Sequence, residues 1–347
     1  MSGQRISDRS RRRGTAFALG LNPYGLAYHL GLQGAGGRRA NPKGSGLEGF
    51  IAIAIELGAE TLEIFEPWLS ALSDGDLRAL GDRLESLGMT PIVSSGLTMG
   101  PFESALRSAR ALGATTIRYG LTTVLCGDRH ALGTGWSELV ASVRRALAEC
   151  GPRAFDEGRV LAIENHQDFG SDELVEFCET YQGVGICLDT GNSFPVAEAP
   201  LDFALRVAPH VRHVHLKDYR VQFTDEGFRL VRCAIGDGAV PFGAMLDELS
   251  AVRPMLTAAV EPGALEARHV RLLKPEWWNG YPPKSAKALA ACLAAAHVNR
   301  LPDDADYRTP WEKGEDEAIA GYELAMIRRS AANIRAIGLL SHFGDFA

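Results

Sequence analysis

The chain has 347 residues, 46% hydrophobic and 23% charged, with 43 acidic against 36 basic side chains and a net charge of −7. This composition excludes a disordered chain, and the acidic balance opposes the basic stripe that binding to nucleic-acid phosphates requires. No apolar run reaches the roughly 18 residues of a membrane span, and the length suits one large α/β barrel.

In chain order, residues 1–14, "MSGQRISDRSRRRG", read as a flexible, solvated tail. Arg11–Arg13 before a moderately apolar stretch raise the alternative of a twin-arginine export signal. Asn22, Pro23 and His29 interrupt that stretch, which reads better as the first strand. The six cysteines form no CxxC pair and no regular framework, and several lie in apolar runs, so free thiols in a reducing cytoplasm are expected.

A repeated grammar then sets in. "ELGAETLEIFEP", "SLGMTPIVSSGL" and "ALGATTIRYGL" each end a helical pattern in Leu-Gly and start a β-rich run one or two residues later. Gly58, Gly88 and Gly113 suit left-handed helix C-caps. Strands are expected over 15–22, 61–66, 91–96, 115–120, 160–165, 184–189, 211–217 and 256–261, with helices in the gaps. Strict alternation demands parallel pairing, and eight units point to a closed (β/α)8 TIM barrel. An open doubly wound sheet lacks support, because no GxGxxG follows the first strand.

Two segments interrupt the rhythm. "RVQFTDEGFRLVRCAIGDG" predicts a hairpin inserted after the seventh strand, turning at Asp225, Glu226 and Gly227. The barrel is assigned to 15–275, and residues 276–347 form a helical extension packed on it, which covers the mouth or contacts a second subunit, like or unlike. Trp277, Trp278 and Tyr281 near its start read as core packing.

Four consecutive strands end in a metal-ligand type. "VLAIENHQD" carries Glu164, "VGICLDTGN" Asp189, "VRHVHLKD" His215 and "LTAAVEPG" Glu261. Their spacings are one βα unit, one unit, and one unit plus the hairpin, so the groups occupy equivalent heights at the carboxyl end of the barrel. Carboxylates crowded there repel one another and lose hydration, at a cost on the order of several kcal/mol per ion. One divalent cation resolves both costs. The oxygen-rich donor set with one imidazole suits Mn²⁺ best, with Mg²⁺, Co²⁺ or Zn²⁺ as alternatives.

These four strand ends resemble those of the xylose isomerase-like barrels. That group includes sugar-phosphate isomerases and epimerases, ketose 3-epimerases, inosose dehydratases and endonuclease IV. The resemblance spans about residues 15–262 and rests on "IEN", "LDTGN", "HVHLKD" and "VEPG". It implies that Glu164, Asp189, His215 and Glu261 bind one metal, and that the two glutamates act as acid and base on opposite faces of a small carbohydrate. The implied reaction is isomerisation or epimerisation through an enediolate, whose negative oxygen needs a Lewis acid. Strand alternation puts His166 beside Glu164 and His213 beside His215. Asn192, Lys217, Asp218, Glu66, His130 and Arg220 complete the candidate substrate-binding set.

The sequence also departs from the epimerase pattern. Asn192 replaces a histidine, Gly170 a glutamate and Val221 an arginine, with Arg220 one position earlier. These losses count against free-ketose 3-epimerisation. The long carboxyl extension resembles, less specifically, that of barrel relatives that cleave carbon–carbon bonds, which implies as the alternative a C-glycoside deglycosylating subunit acting on 3-keto glycosides or an oxo-sugar-acid decarboxylase. A nuclease of the endonuclease IV type would need further histidines that the second and third strands do not supply. A barrel reduced to a non-catalytic subunit is opposed by the full set of four ligands.

Overall fold

The computed structural model describes residues 17–33, 39–253, 255–263 and 265–337. The expected tail at 1–14, the first two residues of the expected first strand and the end of the last expected helix lie outside them. The strands are β1 Phe17–Leu21, β2 Thr61–Phe65, β3 Thr90–Gly96, β4 Thr116–Gly120, β5 Val160–Glu164, β6 Val184–Asp189, β7 Val211–Leu216, β8 Asp218–Thr224, β9 Gly227–Cys233, β10 Leu256–Val260 and β11 Arg268–Val270. The helices around the barrel are α1 Gly46–Glu56, α2 Glu66–Ser70, α3 Asp74–Ser86, α4 Phe102–Leu112, α5 Gly135–Asp156, α6 Ser171–Thr180, α7 Pro200–Val207 and α8 Phe242–Val252. Beyond them come α9 Ala286–His297, α10 Pro310–Lys313 and α11 Asp316–Ala336.

Each expected strand is present within one or two residues at either end. All eight barrel strands pair in parallel and close in the order β1-β10-β7-β6-β5-β4-β3-β2. Gly58, Gly88 and Gly113 take φ of 63°, 71° and 73°, the left-handed geometry that lets each helix stop and the chain re-enter the barrel. Leu77, Leu80 and Leu84 of α3 and Ala105, Leu106, Ala109 and Leu112 of α4 are buried at helical spacing between the helical layer and the strands.

The insertion forms as a hairpin of β8 and β9, and β11 adds antiparallel to β9 to complete a three-stranded sheet. The carboxyl-terminal segment packs on the same end of the barrel. Trp277 is fully buried and its Nε1 donates to the Cys126 carbonyl at 3.1 Å. Tyr281 stacks on Trp277 with centroids 4.7 Å apart and donates its hydroxyl to the Gly127 carbonyl at 2.9 Å. On α11, Glu323 accepts the backbone N–H groups of Tyr28 and His29 at 3.0 and 2.7 Å, tying that helix to the loop after β1. All six cysteines are free thiols. Among the described residues, no helix is long and apolar enough to cross a membrane.

Candidate metal centre

Parallel strands covered on both faces leave a charged side chain at a strand end one direction to point, into the barrel mouth. Glu164, Asp189, His215 and Glu261 do so together: each offers a ligand atom, and these atoms all lie within 4.8 Å of one another, in a buried cluster. Register explains the convergence. Asp189 on β6 sits directly opposite His215 on β7, and His215 opposite Ala259 on β10, two residues before Glu261.

The imidazole of His215 is oriented from behind. Its Nε2 lies 2.6 Å from Oε2 of Glu63, a fully buried carboxylate on β2. Asn22 Nδ2 faces the same nitrogen at 3.1 Å as a donor, but the shorter, charged contact decides the tautomer and places the proton on Nε2. Nδ1 then faces Glu164 Oε1 at 3.1 Å and Glu261 Oε2 at 2.9 Å, and it would offer a bound cation its lone pair once its proton is displaced. Glu261 Oε2 is buried, with His215 Nδ1 as the polar atom that faces it. One imidazole nitrogen and the carboxylate oxygens grouped around it form a donor set that could hold a metal ion. The carboxylate–histidine pairing behind them is the arrangement that fixes metal-bound imidazoles.

Charge leads to the same conclusion. Four buried carboxylates, Glu63, Glu164, Asp189 and Glu261, surround two buried cations, Arg118 and Lys217. Arg118 on β4 is paired with Glu164, and Lys217 Nζ contacts Asp189 Oδ2 at 2.5 Å and Glu261 Oε1 at 2.6 Å. Without an ion, and against its burial, these carboxylates raise His215 well above the usual imidazole range, so the ring is cationic; a cation would displace its Nδ1 proton, and the four carboxylates would then exceed Arg118 and Lys217 by two charges. Against burial, Arg118 and then His215 hold Glu164 well below the usual carboxylate range. Lys217 and then His215 likewise bring Glu261 down to about 2 against its burial. Burial lifts Asp189 to about 6 although it also touches Lys217. The two partners of Lys217 thus move in opposite directions, yet both are anionic at neutral pH. Asp189 also accepts the N–H groups of Gly191 and Asn192 at 3.0 and 3.1 Å, which favours its charged form.

A second grouping, Cys187 with His213 and His215, is less suited to a cation. Burial pushes the Cys187 thiol up to about 12, so it stays protonated. His213 has both ring nitrogens engaged, Nδ1 with Thr257 Oγ1 at 2.7 Å and Nε2 with Glu63 Oε2 at 3.1 Å.

Above the cluster opens a cavity of about 240 Å³, with Arg118, His166, Gln167, Lys217, Glu261 and Arg268 in its wall. The volume lies just below the range of about 300–1,000 Å³ usual for drug-sized ligands, which suits a small molecule. His166 borders it with an unpartnered Nδ1, and burial pushes its imidazole down to about 4, leaving it neutral. Gln167 holds φ of 76°, a left-handed conformation costing a non-glycine residue about 1–3 kcal/mol that the surrounding fold must offset.

The remaining candidates lie elsewhere. His213 is beneath His215, facing Glu63. Asp218 is directed at loop backbone, accepting the N–H groups of Tyr219, Gly236, Gly238 and Val240 at 2.8–3.1 Å. Glu66 begins α2 and accepts from the Ser104 hydroxyl at 2.5 Å. Arg220 is exposed and borders a different groove, between the inserted sheet and the carboxyl-terminal segment. His130 is half-buried beside Asp128. Asn192 is buried and accepts from the Tyr219 hydroxyl at 3.3 Å, with its Nδ2 unpartnered. Of the two glutamates, Glu261 borders the cavity, whereas Glu164 lies fully buried beneath Arg118.

Sequence reading missed Glu63 and Arg118. Both stand in the middle of their strands, "TLEIF" and "TIRYG", not at the tip. A charge centred in a strand buried on both faces was the available signal, because it must point into the barrel and find a partner there.

Fold and centre together define a closed (β/α)8 barrel with a buried acidic cluster at its carboxyl-terminal mouth that could hold a metal ion. The chain belongs to the xylose isomerase-like TIM barrel family, whose model matches residues 51–274. It is similar to the uncharacterized protein YihM of Escherichia coli K12, 25% identical over 205 residues covering 55% of this chain and 57% of that protein. The chain thus matches little more than half the length of that relative. It is also similar to 3-oxo-isoapionate decarboxylase of Pectobacterium atrosepticum, 26% identical over 235 residues, 66% of this chain and 79% of that protein. Among solved structures, a D-allulose 3-epimerase from Methylomonas sp. matches 90% of this chain and 98% of its own, at 15% identity and a TM-score of 0.49.

Proposed function

We propose that the protein is a metal-dependent enzyme that removes a proton beside the carbonyl of a small sugar derivative, ending in isomerisation or epimerisation. The observation that carries this reading is the convergence of Glu164, Asp189, His215 and Glu261, whose ligand atoms all lie within 4.8 Å of one another in a buried cluster. Glu164, Asp189, His215 and Glu261 would hold the ion, Mn²⁺ before Mg²⁺, Co²⁺ or Zn²⁺ on the donor set. When bound, the ion supplies a Lewis acid for a substrate carbonyl.

The chain's own residues divide the remaining work. Glu261 borders the cavity and is anionic, so it is the group assigned to take the proton. Lys217, in contact with Glu261 Oε1 and kept protonated against burial by Asp189 and Glu261, fixes that carboxylate in place. Glu164, pinned beneath Arg118, meets the ion and not the cavity. Neutral His166 and the Gln167 amide supply hydrogen bonds for hydroxyl groups along the wall.

A second reading is favoured by the similarity to 3-oxo-isoapionate decarboxylase: cleavage of a bond to CO₂ in a 3-oxo sugar acid, whose electrons pass to the neighbouring carbonyl as an enolate that then takes up a proton. Incubation of the Mn²⁺-loaded protein with ketoses, 3-keto glycosides and 3-oxo sugar acids in D₂O separates the two. Deuterated sugar as the sole product supports isomerisation; release of CO₂ or an aglycone assigns the lyase. Exchange that continues undiminished in Glu261→Gln, or in chelator-stripped protein, defeats both.

A further inference from the structure

We infer that the substrate carries an anionic group, a carboxylate or a phosphate, held by Arg232 and Arg268 on the inserted sheet. This deepens the reading above and rests on it for the identity of the site.

The two arginines share one face of the sheet. Arg268 on β11 pairs directly with Leu230 on β9, and Arg232 follows Leu230 by two residues, so the side chains project the same way as diagonal neighbours. Both line the mouth cavity that Glu261 and Lys217 also line. The Arg232 guanidinium reaches back over the loop after β10: a Cβ added at Gly263, two residues past Glu261, would fall 1.8 Å from its Nη1. The inserted sheet therefore brings this cation to the ligand-bearing strand end.

Partnering sets Arg232 apart from the other cations of the cavity. Arg118 is ion-paired with Glu164, although its Nε is unpartnered, and Lys217 is ion-paired with Asp189 and Glu261. Arg268 has an ion pair with Glu266. Arg232 makes no hydrogen bond or ion pair among the described residues, and the Nε atoms of both arginines are buried without a partner. Two adjacent guanidiniums with one carboxylate between them leave a positive wall, and burial together with Arg268 lowers the proton affinity of Arg232. An unpaired, mostly enclosed guanidinium is costly, and its planar fork matches the paired oxygens of a carboxylate or phosphate. A neutral sugar would leave that charge uncompensated.

The test is equilibrium binding by calorimetry of D-erythronate, D-erythritol 4-phosphate and erythritol, which share a four-carbon polyol and differ in charge. It is run on Mn²⁺-loaded and on chelator-stripped protein, so that chelation of the ion is not read as recognition by arginine. The expected result is a preference for an anionic probe over erythritol of about tenfold or more in both forms, the scale of a charge-assisted hydrogen-bond pair. The better of the two anions identifies the carboxylate or the phosphate as the natural group. Arg232→Gln and Arg268→Gln should bring the preference to within about twofold with the melting midpoint unchanged, and Arg232→Lys should keep part of it. Equal binding of all three probes, no binding of any, or a preference that survives both glutamine variants overturns the inference. Failure of the D₂O exchange assay would count against the proposed reaction and leave this binding result standing.

Discussion

Replacing Glu63 by glutamine tests the centre through a residue that is not itself a ligand. One oxygen of Glu63, Oε2, serves both His215 Nε2 at 2.6 Å and His213 Nε2 at 3.1 Å. The other, Oε1, is unpartnered by hydrogen bonds and lies 4.0 Å from Arg118 Nε. Glutamine fits the same space but has two poor choices. With its oxygen toward the histidines, its NH₂ faces the Arg118 cation and the acceptor has lost its charge. With its NH₂ toward them, His215 must accept at Nε2, and its proton moves to Nδ1, where the metal would bind. Loss of such an orienting partner weakens metal binding by about 10–100-fold, or about 1.4–2.8 kcal/mol. The variant also removes one of the two uncompensated negative charges, which acts in the same direction. Competition for Mn²⁺ against a chromophoric chelator reads the affinity, and an unchanged thermal midpoint shows that the variant is folded. A folded Glu63→Gln protein that binds Mn²⁺ within about twofold of the parent would refute the tautomer argument.

Other perturbations probe the surroundings. Arg118→Met strands the buried Glu164 carboxylate and should cost about 3–5 kcal/mol in urea unfolding of chelator-treated protein, with a smaller loss at saturating Mn²⁺. Burial lifts Glu323 to about 7 against the two N–H groups that face it, so the folded state holds its proton more tightly than the unfolded chain does. That contribution is complete below about pH 4.5 and is lost as pH rises through about 7, by up to about 3 kcal/mol. The difference between parent and Glu323→Gln in unfolding free energy should follow this curve between pH 5 and 8, on the order of the shift itself; a flat difference contradicts it. Trp277→Ala removes a fully buried indole and its bond to Cys126, and should cost about 3–5 kcal/mol by the same unfolding measurement.

The barrel was readable because its physics is local and repeated. Leu-Gly helix ends followed by short β-rich runs recur often enough to be counted, and the structure places Gly58, Gly88 and Gly113 in the left-handed caps that the pattern requires. The four ligand-type residues were readable for a related reason. In a parallel strand buried on both faces, a carboxylate at the tip stands out against its apolar neighbours, and equal spacing along the chain becomes equal height in the barrel. The substrate wall follows no such rule. Asp218, next to Lys217, is spent on four loop amides, while Arg232 and Arg268, in an insertion with no counterpart in the repeat, come to the cavity through antiparallel pairing. Periodicity of the βα unit carries no information about which face of an inserted sheet turns inward.

Glu63 and Arg118 mark the boundary between these cases. Their strands were identified, and a charge at the centre of each was visible, yet a rule attending only to strand tips passes over them. The barrel interior explains why they are there. His215 presents Nδ1 to the cluster only if Nε2 gives its proton to an acceptor deeper in the barrel, and Glu63 is that acceptor. Glu63 and Glu164 together then require a buried cation at their level, which Arg118 supplies by pairing with Glu164 and lying 4.0 Å from Glu63. Each charge in the middle of a strand is thus a consequence of a ligand at the end of another. In this chain, the mid-strand glutamate and the mid-strand arginine on different staves are therefore the sequence-readable trace of the charged cluster above them.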